Sequence, residues 1–228
     1  TSAWRPAAPG SSILKANLSA ATGVTEFGSL PVHGSDQEGC DQLVYKKTEL
    51  FHHSAEMVLA RYPNVDAQGR WKFLNADVNG GRADGFAFSG CAYASHECNH
   101  TEAERVRNWA ARPDARVHGY WVRDWADSIQ RVVAVNVSNG TAVVTLPSTM
   151  HGDFRHHNNR VDSSARFFGL NILSELDSPS EYYIDEDGMA YYWPAVPKER
   201  WTEAPVISVA DVAVMLDGTS HITLEGLT

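Results

Sequence analysis

The strongest constraint on the fold is an aromatic hairpin signal near the C-terminal end of the 228-residue sequence. Two tyrosine-rich runs, Glu181–Asp185 and Met189–Trp193, flank an acidic turn that ends in Asp187-Gly188. Glycine reaches the positive φ that such a turn requires, and aromatic residues favour strands, so the segment predicts a β-hairpin. Just before it, Ile172–Leu176 predicts a short helical turn, which Pro179 prevents from continuing.

Strand-like patterns dominate the remaining sequence. Apolar or β-branched runs that predict strands lie at 43–46, 57–62, 117–123, 129–137, 141–146, 165–170, 206–209, 212–216 and 221–224. Asn139-Gly140 between two of them is a type I′ hairpin signal. One helix is predicted from Thr101, which forms a capping box with Glu104, to Pro113. Residues 75–90 carry irregularly spaced glycine and aspartate and predict a long loop.

Charge and hydropathy limit the partners. The net charge of −9 argues against nucleic acid or an anionic lipid surface as a partner. No stretch approaches the roughly 20 apolar residues of a membrane-spanning helix. A neutral or cationic partner is therefore expected, without a membrane span.

Four segments, in order, resemble secreted proteins with a right-handed parallel β-helix. They are Leu59–Asn64, His118–Trp125, Leu176–Pro194 and Ser220–Thr228. Many proteins of this pectin-lyase-like architecture are glycoside hydrolases or other polysaccharide-active enzymes, and the resemblance spans residues 45–228. It implies a mainly β fold, in which a β-rich N-terminal domain with one short helix leads into the first rung of a parallel β-helix.

The resemblance also implies a division of the chain. Residues 1–40 are expected to form an extended lead-in, with a strand at Ile13–Ala16 that pairs with the next domain. Residues 41–200 would form the β-rich domain, and 201–228 the start of the β-helix. Since a solenoid needs about three repeats to bury a core, we expect the remainder of its own β-helix, or another chain, to cover the C-terminal edge.

The cysteines indicate an oxidising compartment. Cys91 and Cys98 lie close together in the sequence and predict a disulfide. Cys40 then pairs elsewhere or stays buried, and its partner is left open. The alternative is a zinc site formed by Cys91, His96, Cys98 and His100, although this spacing follows no common zinc pattern.

Four Asn-x-Ser/Thr sequons also indicate an oxidising, extracellular compartment. They begin at Asn17, Asn99, Asn136 and Asn139. Such tripeptides accept N-linked glycans in secreted proteins, and four in this length indicate a secreted, extracellular glycoprotein. The other interpretation is a secreted bacterial protein without glycans.

Candidate catalytic residues follow from the chemistry of glycoside hydrolysis, which uses two carboxyl groups beside the scissile bond. The candidates are Asp124, Asp177 and Glu181, and either Trp121 or Trp125 would stack on a sugar ring. The structural alternative is that Asp177 caps a turn and that Glu181 pairs with an arginine. In the resembling enzymes the reacting groups come from later rungs, so the resemblance places them outside this chain.

A second polar patch lies in the histidine-rich loop 147–163. It contains His151, Asp153, His156, His157 and Asp162. Loop histidines are most often solvated, and a ligand-binding or catalytic role is the alternative. We expect no cofactor and no metal.

The leading hypothesis is the N-terminal part of an extracellular, carbohydrate-active β-helix protein that acts on a polysaccharide or glycan, with hydrolysis as the reaction. The alternative is a non-catalytic structural or adhesive β-helix protein of a cell wall, matrix or surface appendage. A polysaccharide lyase would need a cationic group or calcium to neutralise uronates, and no acidic calcium cluster is evident in the sequence.

Overall fold

The fold is described from a computed structural model of the chain. It describes residues 3–30, 33–34, 47–77, 81–82, 84–93, 98–121, 123–147, 165–210, 212 and 214–226. Within these residues the two α-helices are α1 (Leu18–Thr22) and α2 (His100–Arg105), and 3₁₀ turns span Val106–Ala111, Leu173–Glu175 and Lys198–Arg200.

Short strands make up most of the regular structure. In chain order they are β1 (Arg5–Pro6), β2 (Leu14–Asn17), β3 (His33–Gly34), β4 (Leu50–His52), β5 (Ala55–Glu56), β6 (Val58–Leu59), β7 (Arg61–Tyr62), β8 (Leu74–Asn75), β9 (Gly81–Arg82), β10 (Gly85–Phe88), β11 (Cys91–Ala92), β12 (Arg116–Tyr120), β13 (Asp127–Arg131), β14 (Ala134–Ser138), β15 (Thr141–Thr145), β16 (Arg166–Leu170), β17 (Glu181–Ile184), β18 (Met189–Tyr192) and β19 (Val206–Ile207).

The strands form four small sheets in a propeller-like arrangement. Their orders are β1-β2-β18-β17-β6, β14-β15-β10-β9, β11-β8-β16-β12-β13-β3 and β19-β4-β5, and β7 also pairs with β16. Every described pair is antiparallel except β6 with β17. A parallel β-helix needs parallel pairing between successive rungs, so the predicted β-helix fold is wrong, while the prediction of a mainly β chain is correct.

The aromatic hairpin is confirmed, and it organises the first sheet. Strands β17 and β18 pair around a turn in which Gly188 has a φ of 78°. The predicted lead-in strand is also present, since β2 pairs with β18. Leu14, Ile184 and Tyr192 lie together in the core that this sheet covers. Burying these aromatic and aliphatic side chains stabilises the link between the first residues and the hairpin.

The larger core lies between the second and third sheets. Phe86 and Phe88 of β10 pack with Trp109, Trp121 and Phe167, all almost fully buried. Residues 75–90 were predicted to be a loop, but this segment contains β10. The glycines lie at the ends of this strand: Gly85 begins β10 and Gly90 follows it, and both have positive φ.

The predicted helix is present with a different start. Its N-cap is Asn99 rather than Thr101, because the Asn99 side chain accepts the backbone N–H of Thr101 at 3.1 Å. The Thr101 hydroxyl donates to the same Asn99 oxygen at 2.7 Å. The predicted type I′ turn is confirmed, since Asn139 and Gly140 have φ of 51° and 75°.

The C-terminal segment does not form the predicted first rung. Val206 and Ile207 pair with β4, but as far as the structure describes residues 208–226, no strand forms there. Its large apolar side chains are exposed, among them Val209, Val212, Val214, Met215, Leu216, Ile222 and Leu224. The domain limits at residues 40 and 200 stay predictions.

Candidate functional site

An aromatic groove lies on the surface of the described part of the chain. Its cavity volume is about 850 Å³, and its lining includes Tyr62, Trp71, Phe73, Tyr93, Glu102 and Arg166. We call it the aromatic groove. The lining comes from the loop after β7, from the disulfide-bonded segment around β11, from the start of α2, and from β16. Aromatic faces with a few polar groups among them are typical of sites for small organic ligands.

Trp71 is the most exposed aromatic ring of the groove, with 55% of its surface accessible. Its ring is held from below by the guanidinium of Arg61, whose Cζ lies 4.0 Å from the ring centroid. The same guanidinium lies 4.1 Å from the centroid of the Phe168 ring, and that ring contacts the Trp71 ring edge-to-face at 4.9 Å between centroids. Arg61 is fully buried, so Trp71 rests on a buried cation and on a buried aromatic ring beside it.

Arg61 also holds the backbone of the loop that carries Trp71. Its Nε donates to the carbonyl oxygen of Pro63 at 2.9 Å, and its Nη2 donates to the carbonyl oxygen of Lys72 at 3.1 Å. Through these two bonds, the planar guanidinium of Arg61 holds both the beginning and the end of the loop. The position of Trp71 therefore depends on Arg61.

Arg166 is the cation at the centre of the aromatic lining. Its guanidinium lies 4.2 Å from the ring centroid of Tyr120, 5.3 Å from that of Tyr93 and 5.4 Å from that of Phe73. It pairs with Asp124. The structure thus brings one predicted acid, Asp124, next to the groove through its arginine partner.

Glu102 is the carboxyl group in the described lining of the groove. It accepts the phenol O–H of Tyr62. Burial, first, and then this bond raise the pKa of Tyr62 well above its usual value, so the phenol stays protonated and acts as a donor. Glu102 was not predicted as a site residue, because no local pattern in the sequence distinguishes it from other acidic residues at helix starts.

Asp177 lies in an ion-pair network behind Tyr62. Arg105 lies over the Tyr62 ring at 3.8 Å and pairs with both Glu175 and Asp177. Asn64 donates its amide N–H to Asp177 at 2.9 Å. Glu175 is buried and accepts the indole N–H of Trp109 at 2.8 Å, and burial raises its pKa. The network fixes the 3₁₀ turn 173–175 against α2, and Asp177 lies outside the described lining of the groove.

Glu181 is a buried carboxyl group, with 3% of its surface accessible. It accepts the backbone N–H groups of Asp177 and Ser178, each at 3.0 Å. Burial raises its pKa to about 7, against the opposing effect of those two N–H bonds. It lies outside the described lining of the groove, and its contacts are those of a group that fixes the turn before β17.

The raised pKa of Glu181 predicts how stability depends on pH. The native state holds this proton more tightly than the unfolded chain, whose glutamate has its ordinary pKa of about 4.5. The stabilisation is therefore complete below about pH 4.5 and is lost as the pH rises through about 7. We expect Glu181→Gln, whose amide oxygen still accepts both N–H groups, to flatten this dependence between pH 5 and 8 by on the order of 2 kcal/mol.

Denaturant unfolding of wild type and Glu181→Gln at pH 5, 6, 7 and 8 measures this effect. The difference in unfolding free energy between the two proteins at each pH removes the contribution of other titrating groups. One such group is His52, whose pKa is lowered mainly by burial. Parallel pH profiles for the two proteins would contradict the assignment.

The two predicted sugar-stacking tryptophans lie in different environments. Trp121 is 1% exposed, packs on Phe167 and donates its indole N–H to Ser128 at 2.8 Å. It is part of the core. Trp125 is 71% exposed, with Arg123 over its ring at 5.0 Å, and lies outside the described lining of the groove. The exposed groove rings, Trp71 and Tyr93, were not predicted.

The disulfide predicted between Cys91 and Cys98 is present. It closes the segment that contributes Ala92, Tyr93 and Asn99 to the groove. Cys40, His96 and the polar patch at His151, Asp153, His156, His157 and Asp162 lie outside the described residues. The sequon residues Asn17, Asn99, Asn136 and Asn139 are all exposed.

A second cavity, of about 530 Å³, shares Trp71 with the groove and is also lined by Arg61. Its lining combines aliphatic side chains, such as Met57, Leu59 and Leu170, with the charged side chains of Lys47, Glu49, Glu56 and Arg61. Trp71 is its one exposed aromatic ring among the described residues, so the groove is the better site for a ligand with flat apolar faces. Within the described part of the chain no helix is long and apolar enough to cross a membrane.

Comparison with known proteins yields one similarity of fold. No known family model matches the sequence, and no curated protein matches it. The structure is similar to part of a solved structure named glycoside hydrolase, with a TM-score of 0.50 over 90% of this chain and 14% sequence identity. This chain spans 29% of the length of that protein. The similarity supports the glycoside-hydrolase-like resemblance at the level of fold, and fold alone does not establish activity.

Proposed function

We propose that this protein binds glycans in the aromatic groove, as the glycan-binding part of an extracellular, glycoside-hydrolase-like protein. The observation that carries the proposal is the rigidly supported, exposed Trp71 ring beside Tyr93. A sugar ring has an apolar C–H face that packs on an aromatic ring, while its hydroxyl groups need donors and acceptors. Glu102 supplies acceptor oxygens to the groove, and Lys72 and Arg166 supply donors.

Hydrolysis is the reaction we propose for the whole protein. The support is the similarity to a structure named glycoside hydrolase, together with Glu102 in the groove. Retaining and inverting mechanisms both use two carboxyl groups, and the described lining contains one. We propose Asp124 as the second carboxyl group, because it pairs with Arg166 of the groove lining.

Trp71→Ala is expected to weaken glycan binding roughly five- to tenfold, because an aromatic contact contributes about 1 kcal/mol. Trp125→Ala is the matched control, since it removes another exposed indole that lies outside the groove and is expected to leave the affinity unchanged. Titration of both variants with plant and algal oligosaccharides measures the affinities, and the same panel can be assayed for new reducing ends.

The opposite result, with Trp125→Ala weakening binding and Trp71→Ala leaving it unchanged, would move the site to the tryptophan predicted from the sequence. Binding without new reducing ends would favour the non-catalytic alternative, a structural or adhesive extracellular protein. Absence of binding across the panel would refute the proposal.

A further inference from the structure

Asn99 is both a sequon residue and part of the groove. It begins the tripeptide Asn99-His100-Thr101, it is exposed, and it belongs to the groove lining together with its neighbour Cys98. None of the other three sequon residues belongs to that lining. The glycosylation predicted from the sequence therefore has a different consequence at Asn99 than at Asn17, Asn136 or Asn139.

The side chain of Asn99 has a defined orientation. A backbone N–H can only donate, so the Asn99 atom that accepts the Thr101 N–H at 3.1 Å is the amide oxygen. The Thr101 hydroxyl donates to the same oxygen at 2.7 Å. The oxygen is thus engaged at the start of α2, and the amide nitrogen is the atom left for attachment of an N-linked glycan.

The backbone at Asn99 is fixed as well. Its N–H donates to the carbonyl oxygen of Gly90 at 2.9 Å, and the disulfide between Cys91 and Cys98 joins the same two segments. A glycan attached here starts from a rigid point on the groove lining. It cannot be moved away from the groove by a flexible loop.

We propose that an N-linked glycan on Asn99 closes the aromatic groove to external glycans, so that the occupancy of this sequon regulates binding. The inference rests on the proposed glycan-binding function of the groove. An N-linked glycan is a bulky group, and at Asn99 it occupies the space from which a ligand reaches Trp71 and Tyr93. The attached sugars also present the same chemical surface that the groove binds, so they compete for it at a high effective concentration.

Asn99→Asp and Asn17→Asp make a matched pair for the test. Both residues are exposed sequon asparagines that cap a helix, Asn17 by accepting the backbone N–H of Ala20 at 2.9 Å. Aspartate is an equally good N-cap, so each variant loses the attachment site and keeps the cap. Asn17 lies outside the described lining of the groove.

Wild type and both variants are produced in a eukaryotic host that performs N-glycosylation and in a bacterial host that does not, and the best-binding oligosaccharide of the panel is titrated into each. For wild type and Asn17→Asp, the glycosylated product is expected to bind at least about tenfold more weakly than the bacterial product of the same sequence. For Asn99→Asp, the two products are expected to bind alike, and comparing each sequence with itself removes any direct effect of this groove-lining substitution. Peptide mass spectrometry measures the occupancy of Asn99.

Equal affinities of the bacterial wild type and of the glycosylated wild type with Asn99 occupied would overturn the inference and leave the glycan-binding function intact. An unoccupied Asn99 in the eukaryotic product would also overturn it. Failure of all the bacterial proteins to bind would overturn the proposed function and this inference together.

Discussion

Replacing Arg61 by alanine is expected to lower the free energy of unfolding by about 3–5 kcal/mol and to weaken glycan binding about five- to tenfold in the molecules that remain folded, as much as removal of Trp71 itself. The guanidinium packs against both the Trp71 and the Phe168 ring, 4.0 and 4.1 Å from their centroids. Its removal leaves a cavity there, and the carbonyl groups of Pro63 and Lys72 lose a charged donor. The loop that carries Trp71 then loses the two bonds that hold its beginning and its end.

Arg116→Ala is the matched control for this prediction. Arg116 is also buried and donates to main-chain carbonyl oxygens, those of Pro113, Ala115 and Leu30 at 3.2–3.3 Å. It lies outside the described lining of the groove, so we expect a comparable loss of stability without a change in affinity. Arg61→Lys, which keeps the charge but lacks the planar fork, should fold more readily and still bind weakly.

Denaturant unfolding at low temperature and oligosaccharide titration measure the two effects separately. If folded Arg61→Ala or Arg61→Lys bound glycans with wild-type affinity, the loop would not depend on Arg61. If Arg116→Ala weakened binding to the same extent, the loss would reflect general destabilisation rather than the position of Trp71.

The positions of strands were predicted from the sequence more accurately than the pairing between them. The hairpin of β17 and β18 and the turn at Asn139-Gly140 follow from local signals, because a glycine next to an alternating run determines both the turn and the register. Pairing between distant segments leaves no such local signal. The contacts of β2 with β18, and of β7 with β16, depend on packing of the whole chain. For that reason the four-sheet arrangement was mistaken for a β-helix.

The groove was missed for a related reason. Trp71 lies in an irregular loop, and its exposure depends on the buried Arg61 beneath it, which precedes it by ten residues and carries no motif. Trp121 lies next to a strand, where the side-chain direction alternates, and the structure turns it toward Phe86 and Phe167 in the core. An aromatic residue in the sequence therefore predicts that its ring packs against something. Whether the ring packs in the core or is exposed to a ligand depends on the fold.

The predicted disulfide and the sequons have a clearer link to the site than the sequence suggested. The bond between Cys91 and Cys98 holds Tyr93 and Asn99 in one short segment, and both belong to the groove lining. The oxidising compartment predicted from the cysteines is the one in which N-linked glycans are attached. The predicted disulfide and the predicted glycosylation site at Asn99 therefore lie side by side at the groove.

The second large effect is expected at Gly85, where Gly85→Ala should lower the free energy of unfolding by about 4 kcal/mol or more. Gly85 begins β10 with a φ of 153°. A Cβ atom there would overlap the carbonyl oxygen of Val144 and lie 2.9 Å from its carbonyl carbon, both backbone atoms of β15. These atoms cannot rotate away as a side chain can, so β10 must separate from β15.

Separation of these strands would also expose the buried rings of Phe86 and Phe88 and loosen the groove. The matched control is Gly10→Ala, which has a φ of 75° and no atom within 4 Å of the added Cβ. That variant carries only the cost of a left-handed backbone, about 1–2 kcal/mol. Denaturant unfolding and near-UV circular dichroism of the two variants separate the steric effect from the backbone effect. Equal losses of stability would show that β10 and β15 accommodate the methyl group, and the close strand contact would then not be what requires glycine at this position.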